Sequence, residues 1–206
     1  MLDALAEPSQ TSGALRGGAF SIAGNAKALE AETVSPDIIS SSNGVIKFWV
    51  DDDNLNSDVN PRISPAIDQI LKPASMSVFG ETVAGLFESA LVRTQVVGDA
   101  LETVQLNASF GEDGLSQQLM SVAKVISANE QLETDRAVFF VDIDGFDTHS
   151  DVSENLEALF EDVDAGIRSF VAEMKSQGRW DDVTIFSVSE FGRTITSNGA
   201  GTDHGD

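Results

Sequence analysis

The sequence predicts an α/β fold, with a mostly parallel sheet flanked by helices. Three observations support this: an apolar run at residues 137–141, a second apolar run at residues 183–188, and a long segment of helical periodicity between them. A strand, a helix and a strand in this order form a βαβ unit, whose two strands are parallel with a right-handed crossover. The length suits one domain over residues 1–206, of which residues 1–45 are expected to be largely irregular.

Two helices are the first regular elements that the pattern predicts. Short extended pieces are expected at residues 19–23 and 44–50, but neither has a strong pattern. Apolar residues then recur at intervals of three and four over residues 81–102 and again over residues 115–128. Each helix has one apolar face, so we interpret both as packing helices without a chemical role.

The βαβ unit places polar loops at one edge of the sheet. The run at residues 137–141 is unbroken and apolar, which is typical of a strand buried on both faces. Asp151 and Glu154 predict a capping box at the start of the next helix, and Gly178 predicts its end. The loops after the two parallel strands would leave the same edge, where α/β folds place their sites.

Composition excludes several classes of function. There are 34 acidic and 12 basic residues, for a net charge of −22, so we expect neither nucleic acid nor a membrane surface as a partner. The acid excess indicates either a solvated surface suited to a salty setting or a surface that concentrates divalent cations. The absence of cysteine excludes disulfides, thiolate metal sites and a cysteine nucleophile. No stretch has the charge and apolar pattern of a signal peptide or a membrane span.

Each of the two histidines lies near an aspartate: Asp147 stands two residues before His149, and Asp203 directly precedes His204. Carboxylate and imidazole together suit zinc, manganese or iron. Because both loops are expected at one edge of the sheet, we predict that the two histidines face one cleft. The alternative is that both pairs are ordinary surface hydrogen bonds.

Three segments together resemble the signature of the family catalogued as domain of unknown function 1501. They are Gly-Phe-Asp-Thr-His-Ser at 145–150, Ser-Glu-Phe-Gly-Arg-Thr at 189–194 and Asn-Gly-Ala-Gly-Thr-Asp-His-Gly at 198–205. Phe-Ser-Ile-Ala-Gly-Asn at 20–25 and the two packing helices also fit. That family is placed in the alkaline phosphatase and sulfatase-like superfamily and is often exported. The resemblance therefore implies a partial alkaline-phosphatase-like domain, incomplete at both ends.

The resemblance also implies a ligand set. In that superfamily two metal ions usually activate a Ser, Thr or modified Cys nucleophile that attacks a phosphate or sulfate ester. By resemblance, Asp147 and His149 would serve one metal ion, and Asp203 and His204 the other. From the ligand types we expect the chain to bind zinc or manganese weakly. The spacing between the first Asp and His differs from the phosphatase pattern, so Asp144 is a substitute for Asp147.

Glu190 and Arg193 are expected on the same edge. One interpretation is that they form an ion pair that holds the loop. The other is functional: they support the metal ligands together with Asp144, or Arg193 binds an oxyanion through two hydrogen bonds. The nucleophile segment and a further histidine of the superfamily are expected outside this chain. We therefore expect a hydrolase-like protein that acts on small phosphate or sulfate esters, with negligible turnover by the isolated chain.

The alternative function is a non-catalytic acidic binding or structural protein that retains the fold. A third hypothesis is a calcium-responsive surface protein, since oxygen-bearing side chains alternate at positions 52, 54, 56 and 58. The glycine and the final glutamate of an EF-hand loop are replaced by Ser57 and Ile63, which favours a solvated turn instead.

Overall fold

The computed structural model describes residues 16–30, 36–41 and 78–205. In chain order the elements are β1 (Arg16–Ser21), β2 (Asp37–Ile38), α1 (Val78–Glu102), α2 (Gly114–Ser127), β3 (Thr134–Phe140), α3 (Val152–Ser176), β4 (Arg193–Ser197) and β5 (Thr202–His204). Single 3-10 turns occur at Lys27–Leu29 and Trp180–Asp182. The extended piece expected at 44–50 and the acidic loop at 51–58 lie outside the described residues. In the part that is described, no helix has the length and apolar character needed to cross a membrane.

A three-stranded parallel sheet in the order β2-β1-β3 confirms the α/β class. The central strand β1 places Phe20 opposite Asp37 on one side and opposite Phe139 on the other. The rings of Phe20 and Phe139 stack with centroids 5.4 Å apart, and Phe20 is fully buried. β1 overlaps the extended piece that was expected at residues 19–23, whereas β2 lies in the part of residues 1–45 for which no strand was expected.

The predicted partner of β3 is wrong. Residues 183–188 form no strand, and β3 pairs instead with β1 and lies at the edge of the sheet. Ile185, Phe186 and Val188 are exposed, and the second half of β3 is only half-buried rather than buried on both faces. An apolar, β-prone run favours extended backbone, but it does not specify which strand supplies the hydrogen bonds. The predicted βαβ unit is therefore absent from the described residues.

All three predicted helices are present, and their ends show which sequence signals were informative. Gly178 ends α3 with a positive φ of 68°, while the N–H of Arg179 donates to the carbonyl of Met174 at 2.8 Å, as in a Schellman motif. The predicted capping box at the start of α3 is wrong. Asp151 adopts the left-handed conformation and makes no side-chain cap. Its carboxylate instead accepts a hydrogen bond from the hydroxyl of Ser150 at 3.2 Å.

The core packs the sheet against α2, α3 and the C-terminal part of α1, and a buried carboxylate joins α3 to the segment before α2. Glu173 is fully buried. Its Oε2 accepts hydrogen bonds from the backbone N–H groups of Asn107 and Ala108 at 2.8 and 2.7 Å. Its Oε1 accepts one from Gln177 Nε2 at 2.9 Å. Both oxygens of the carboxylate are therefore satisfied, as burial requires.

An ion pair joins α1 to the sheet. Arg93 Nε donates to Asp37 Oδ2 at 2.9 Å. Burial raises the pKa of Asp37 above its ordinary value, and the neighbouring guanidinium partly opposes this rise. The ion pair thus connects the edge strand β2 to α1.

One contact fixes the start of the loop after β3. The side chain of Gln118 in α2 donates to the carbonyl of Asp142 at 2.8 Å and accepts from the N–H of the same residue at 2.9 Å. This pair of hydrogen bonds satisfies both backbone polar groups of Asp142 just beyond the end of β3. The loop that contains Asp147 and His149 therefore leaves the sheet from a defined position.

Candidate metal centre

Two segments build the candidate site: the loop between β3 and α3, and the β4–β5 hairpin. β4 and β5 are antiparallel and place Arg193 opposite His204. The turn of the hairpin is organised by Asn198, whose Oδ1 accepts from the N–H groups of Ala200 and Gly201 at 3.0 and 2.7 Å. The hairpin, rather than a second parallel strand, brings His204 to the loop after β3.

The two segments approach so closely that one position requires glycine. A Cβ atom on Gly201 would lie 2.7 Å from the carbonyl oxygen of His149 and 2.7 Å from Val152 Cγ2. Distances this short do not occur for real Cβ atoms, and one of the contacts is with backbone that cannot move freely. Asn198 Nδ2 also donates to the carbonyl of His149, at 3.2 Å. The turn of the β4–β5 hairpin therefore packs directly against the loop that contains His149.

Asp147, His149 and His204 bring their donor atoms together. One possible ligand atom from each residue lies within 4.8 Å of the other two. The imidazole rings of the two histidines have centroids 5.4 Å apart and meet edge to face. His149 and His204 were predicted to face one cleft; the structure confirms that their rings lie side by side, and the β4–β5 hairpin is what brings them together. All three side chains are about half exposed, at 48–54%.

The donor set fits a divalent cation. Zinc binds nitrogen and oxygen ligands at about 2.0–2.2 Å in a tetrahedral arrangement, so two ligands of one ion lie roughly 3.3–3.6 Å apart. The separation of up to 4.8 Å exceeds this by about 1 Å or more, and half-exposed side chains can close such a gap by rotation. Two imidazoles and one carboxylate leave a coordination position open, as catalytic zinc sites do. Zinc, manganese and iron, the metals expected from the residue types, all suit this set.

Asp203 contacts the site through His149. Its Oδ1 accepts from His149 Nδ1 at 2.8 Å and from Asn198 Nδ2 at 3.0 Å. The hydrogen bond to Asp203 raises the pKa of His149 above its ordinary value of 6.5, desolvation opposes this rise, and the charge of Asp147 and a hydrogen bond to Asp147 add to it. Hydrogen bonds from His149 and Asn198 in turn lower the pKa of Asp203 below 3.8. Asp203 is not among the three clustered donors.

Arg193 connects the hairpin to Asp147. Its NH2 donates to Asp147 Oδ1 at 3.0 Å and to the carbonyl of Phe146 at 2.6 Å, and its NH1 donates to the carbonyl of Thr202 at 2.9 Å. The guanidinium carbon also lies 5.1 Å from the ring centroid of Phe191. Both terminal nitrogens thus have protein partners, which fits support of a ligand rather than two-point binding of an oxyanion.

The other two residues expected near the site, Glu190 and Asp144, are not among the three clustered donors. Among the described residues Arg193 pairs with Asp147, so the expected ion pair with Glu190 is not formed. Asp144 is exposed and is not one of the clustered donors.

Sequence reasoning also missed Asn198 and Gly201. The Asn-Gly pair at 198–199 is a strong signal for a tight hairpin turn and would have indicated β4 and β5.

Comparison with known proteins agrees with the family resemblance. The family described as "Protein of unknown function (DUF1501)" matches residues 93–206, which include all the clustered residues. No curated protein and no solved structure matches the chain. The match covers more than half of the 206 residues, and the chain therefore belongs to the DUF1501 family.

Proposed function

We propose that the chain carries the metal centre of a metal-dependent hydrolase of the phosphatase and sulfatase type. The observation that supports this is the convergence of Asp147, His149 and His204 from two separate segments. The parallel sheet with flanking helices is compatible with the alkaline-phosphatase-like fold that the resemblance implies. A bound zinc or manganese ion would supply Lewis acidity toward a phosphoryl or sulfuryl oxygen.

The residues of the chain have distinct tasks in this proposal. Asp147, His149 and His204 hold the cation. Arg193 fixes one oxygen of Asp147 and reduces its negative charge without filling a coordination position. The half-exposed cluster is open to a small ester from solvent. The net charge of −22 disfavours nucleic acid and anionic membranes as substrates, so small molecules remain.

Charge at the site explains how so acidic a chain could bind an anion. With neutral histidines, Asp147, Asp203 and Arg193 give the metal-free cluster a formal charge of −1. A divalent cation reverses this to +1 locally. The remaining acidic residues act through solvent, where salt screens them beyond about 8 Å. Anion binding should therefore depend on the metal.

A second candidate is a non-catalytic cation-binding protein. The observation in its favour is the exposure of the three donors, since catalytic sites usually exclude water from the reacting groups. Such a protein would bind the cation in the same way, but it would have no use for an oxyanion at the open position.

Sequential calorimetric titration separates the two candidates. The chain is titrated first with zinc and then with inorganic phosphate or sulfate. The hydrolase proposal expects zinc to bind and the anion to bind only to the zinc-loaded chain, and Asp147→Ala should abolish both steps. The exposed Glu157→Ala on α3 serves as the matched control and should change neither. Zinc binding without anion binding would favour the non-catalytic protein, and no loss in Asp147→Ala would contradict both.

A further inference from the structure

We infer that Phe191 is a specificity-determining residue, and that the ester it selects carries a flat, apolar organic group such as a phenyl ring. The inference rests on the proposed function and adds the substrate class, which the metal ligands do not determine. A metal ion binds the charged oxygens of an ester, so the side chains around the ion select the organic group.

Phe191 is an aromatic side chain that lies directly beside the clustered donors. Its ring centroid is 5.7 Å from that of the His204 imidazole, and the two planes meet at 62°. Aromatic pairs form at centroid distances of about 4.5–7 Å, so a ring of the substrate that lies beside His204 also lies within reach of Phe191. The organic group of an ester whose oxygen binds the ion begins only one ester linkage further out. Phe191 is therefore placed to contact that group rather than the ion.

The backbone around Phe191 is held on both sides. The hydroxyl of Ser189 donates to the carbonyl of Phe191 at 2.8 Å. The N–H of Gly205 donates to the carbonyl of Gly192 at 2.7 Å, which ties the segment of Phe191 to the residue that follows His204. A ring that is already fixed loses little conformational entropy when a ligand packs on it.

Phe191 also contacts Arg193, and this gives it a structural role that an experiment must separate from binding. The central carbon of the guanidinium lies 5.1 Å from the ring centroid, and the same guanidinium donates to Asp147. The Phe191 side chain is only half-buried, so part of its surface still meets solvent. That surface is open to a ligand while Arg193 keeps its contact.

The charge of the chain narrows the organic group further. A net charge of −22 disfavours esters that carry additional anionic groups, as nucleotides do. A polar organic group such as a sugar gains from hydrogen bonds, and the ring of Phe191 offers none. An uncharged aromatic group gains both from burial against this ring and from the geometry of an aromatic pair.

Calorimetric titration of the zinc-loaded chain with phenyl phosphate and with methyl phosphate tests the inference. The two esters share the charged group and differ in the organic group. We expect the wild type to bind phenyl phosphate about 2- to 12-fold more tightly, which is the gain expected from an aromatic pair. In Phe191→Ala this preference should disappear, while the affinities for zinc and for methyl phosphate should stay close to those of the wild type. Phe186→Ala removes an exposed phenylalanine of the preceding segment and is the matched control, which should keep the wild-type preference. Phenyl sulfate and methyl sulfate, titrated in the same way, show which oxyanion the centre takes.

The outcomes separate this inference from the proposed function. Equal affinity of the wild type for the phenyl and methyl esters, or a preference that Phe191→Ala retains, would overturn the role of Phe191 and leave the proposed hydrolase standing. A loss in Phe191→Ala that is the same for both esters would show that the ring only supports Arg193, and this too would overturn the inference. A zinc-loaded wild type that binds none of the four esters would refute the proposed hydrolase and the inference with it.

Discussion

Replacing Glu173 with alanine should destabilise the fold through the two backbone groups that the carboxylate satisfies. The N–H groups of Asn107 and Ala108 would lose their acceptor, and Gln177 would lose a side-chain partner. Each buried donor left without a partner costs about 1–3 kcal/mol. Because these donors are only partly buried, water can reach them in the variant, and we expect a total loss of about 2–4 kcal/mol.

Urea denaturation followed by circular dichroism measures this loss directly. A loss of that size corresponds to a fall in melting temperature of roughly 4–16 °C for a chain of this length. Glu157→Ala on the exposed face of α3 is the matched control and should change the free energy of unfolding by less than about 0.5 kcal/mol. If Glu173→Ala behaved like this control, the buried carboxylate would not join α3 to the segment before α2, and the account of the core would be wrong.

Two further predictions concern the site. Zinc affinity should fall as the pH is lowered, because a protonated imidazole cannot bind metal. The fall should begin above pH 6.5, since the hydrogen bond to Asp203 raises the pKa of His149. Calorimetry between about pH 5.5 and 8 tests this, and a constant affinity would contradict it. Replacing Asp203 and His204 together should weaken zinc binding more than replacing Glu154 and Glu157 of α3, which act only through a screened field. Equal losses would indicate nonspecific attraction to an acidic surface.

The helices could be predicted from the sequence because their signals are local. Apolar residues at intervals of three and four predicted α1, α2 and α3, and Gly178 marked the end of α3. Strand pairing is different, since it depends on residues far apart in the chain. β3 pairs with β1, more than 100 residues earlier, and nothing in either segment specifies that partner. The apolar run at 183–188 was therefore paired with β3 by mistake.

The proximity of the two histidines was predicted for a reason that was only partly right. His149 and His204 do lie together, but the β4–β5 hairpin brings them together instead of a second parallel strand. The residue types indicated which side chains could bind a metal. Which of these side chains bind the metal and which only hold a ligand in place depends on distances in the folded chain, and these cannot be read from the spacing of residues in the sequence. Asp203 illustrates this, because it stands beside His204 in the chain but bonds to His149.

The central claim is that Asp147, His149 and His204 form one metal site, and the zinc-edge X-ray absorption spectrum of the zinc-loaded chain tests it most directly. We predict two imidazole nitrogens at about 2.0–2.1 Å together with oxygen ligands, and one imidazole fewer in His204→Ala. A shell of oxygen atoms alone, or a spectrum that His204→Ala leaves unchanged, would contradict the claim.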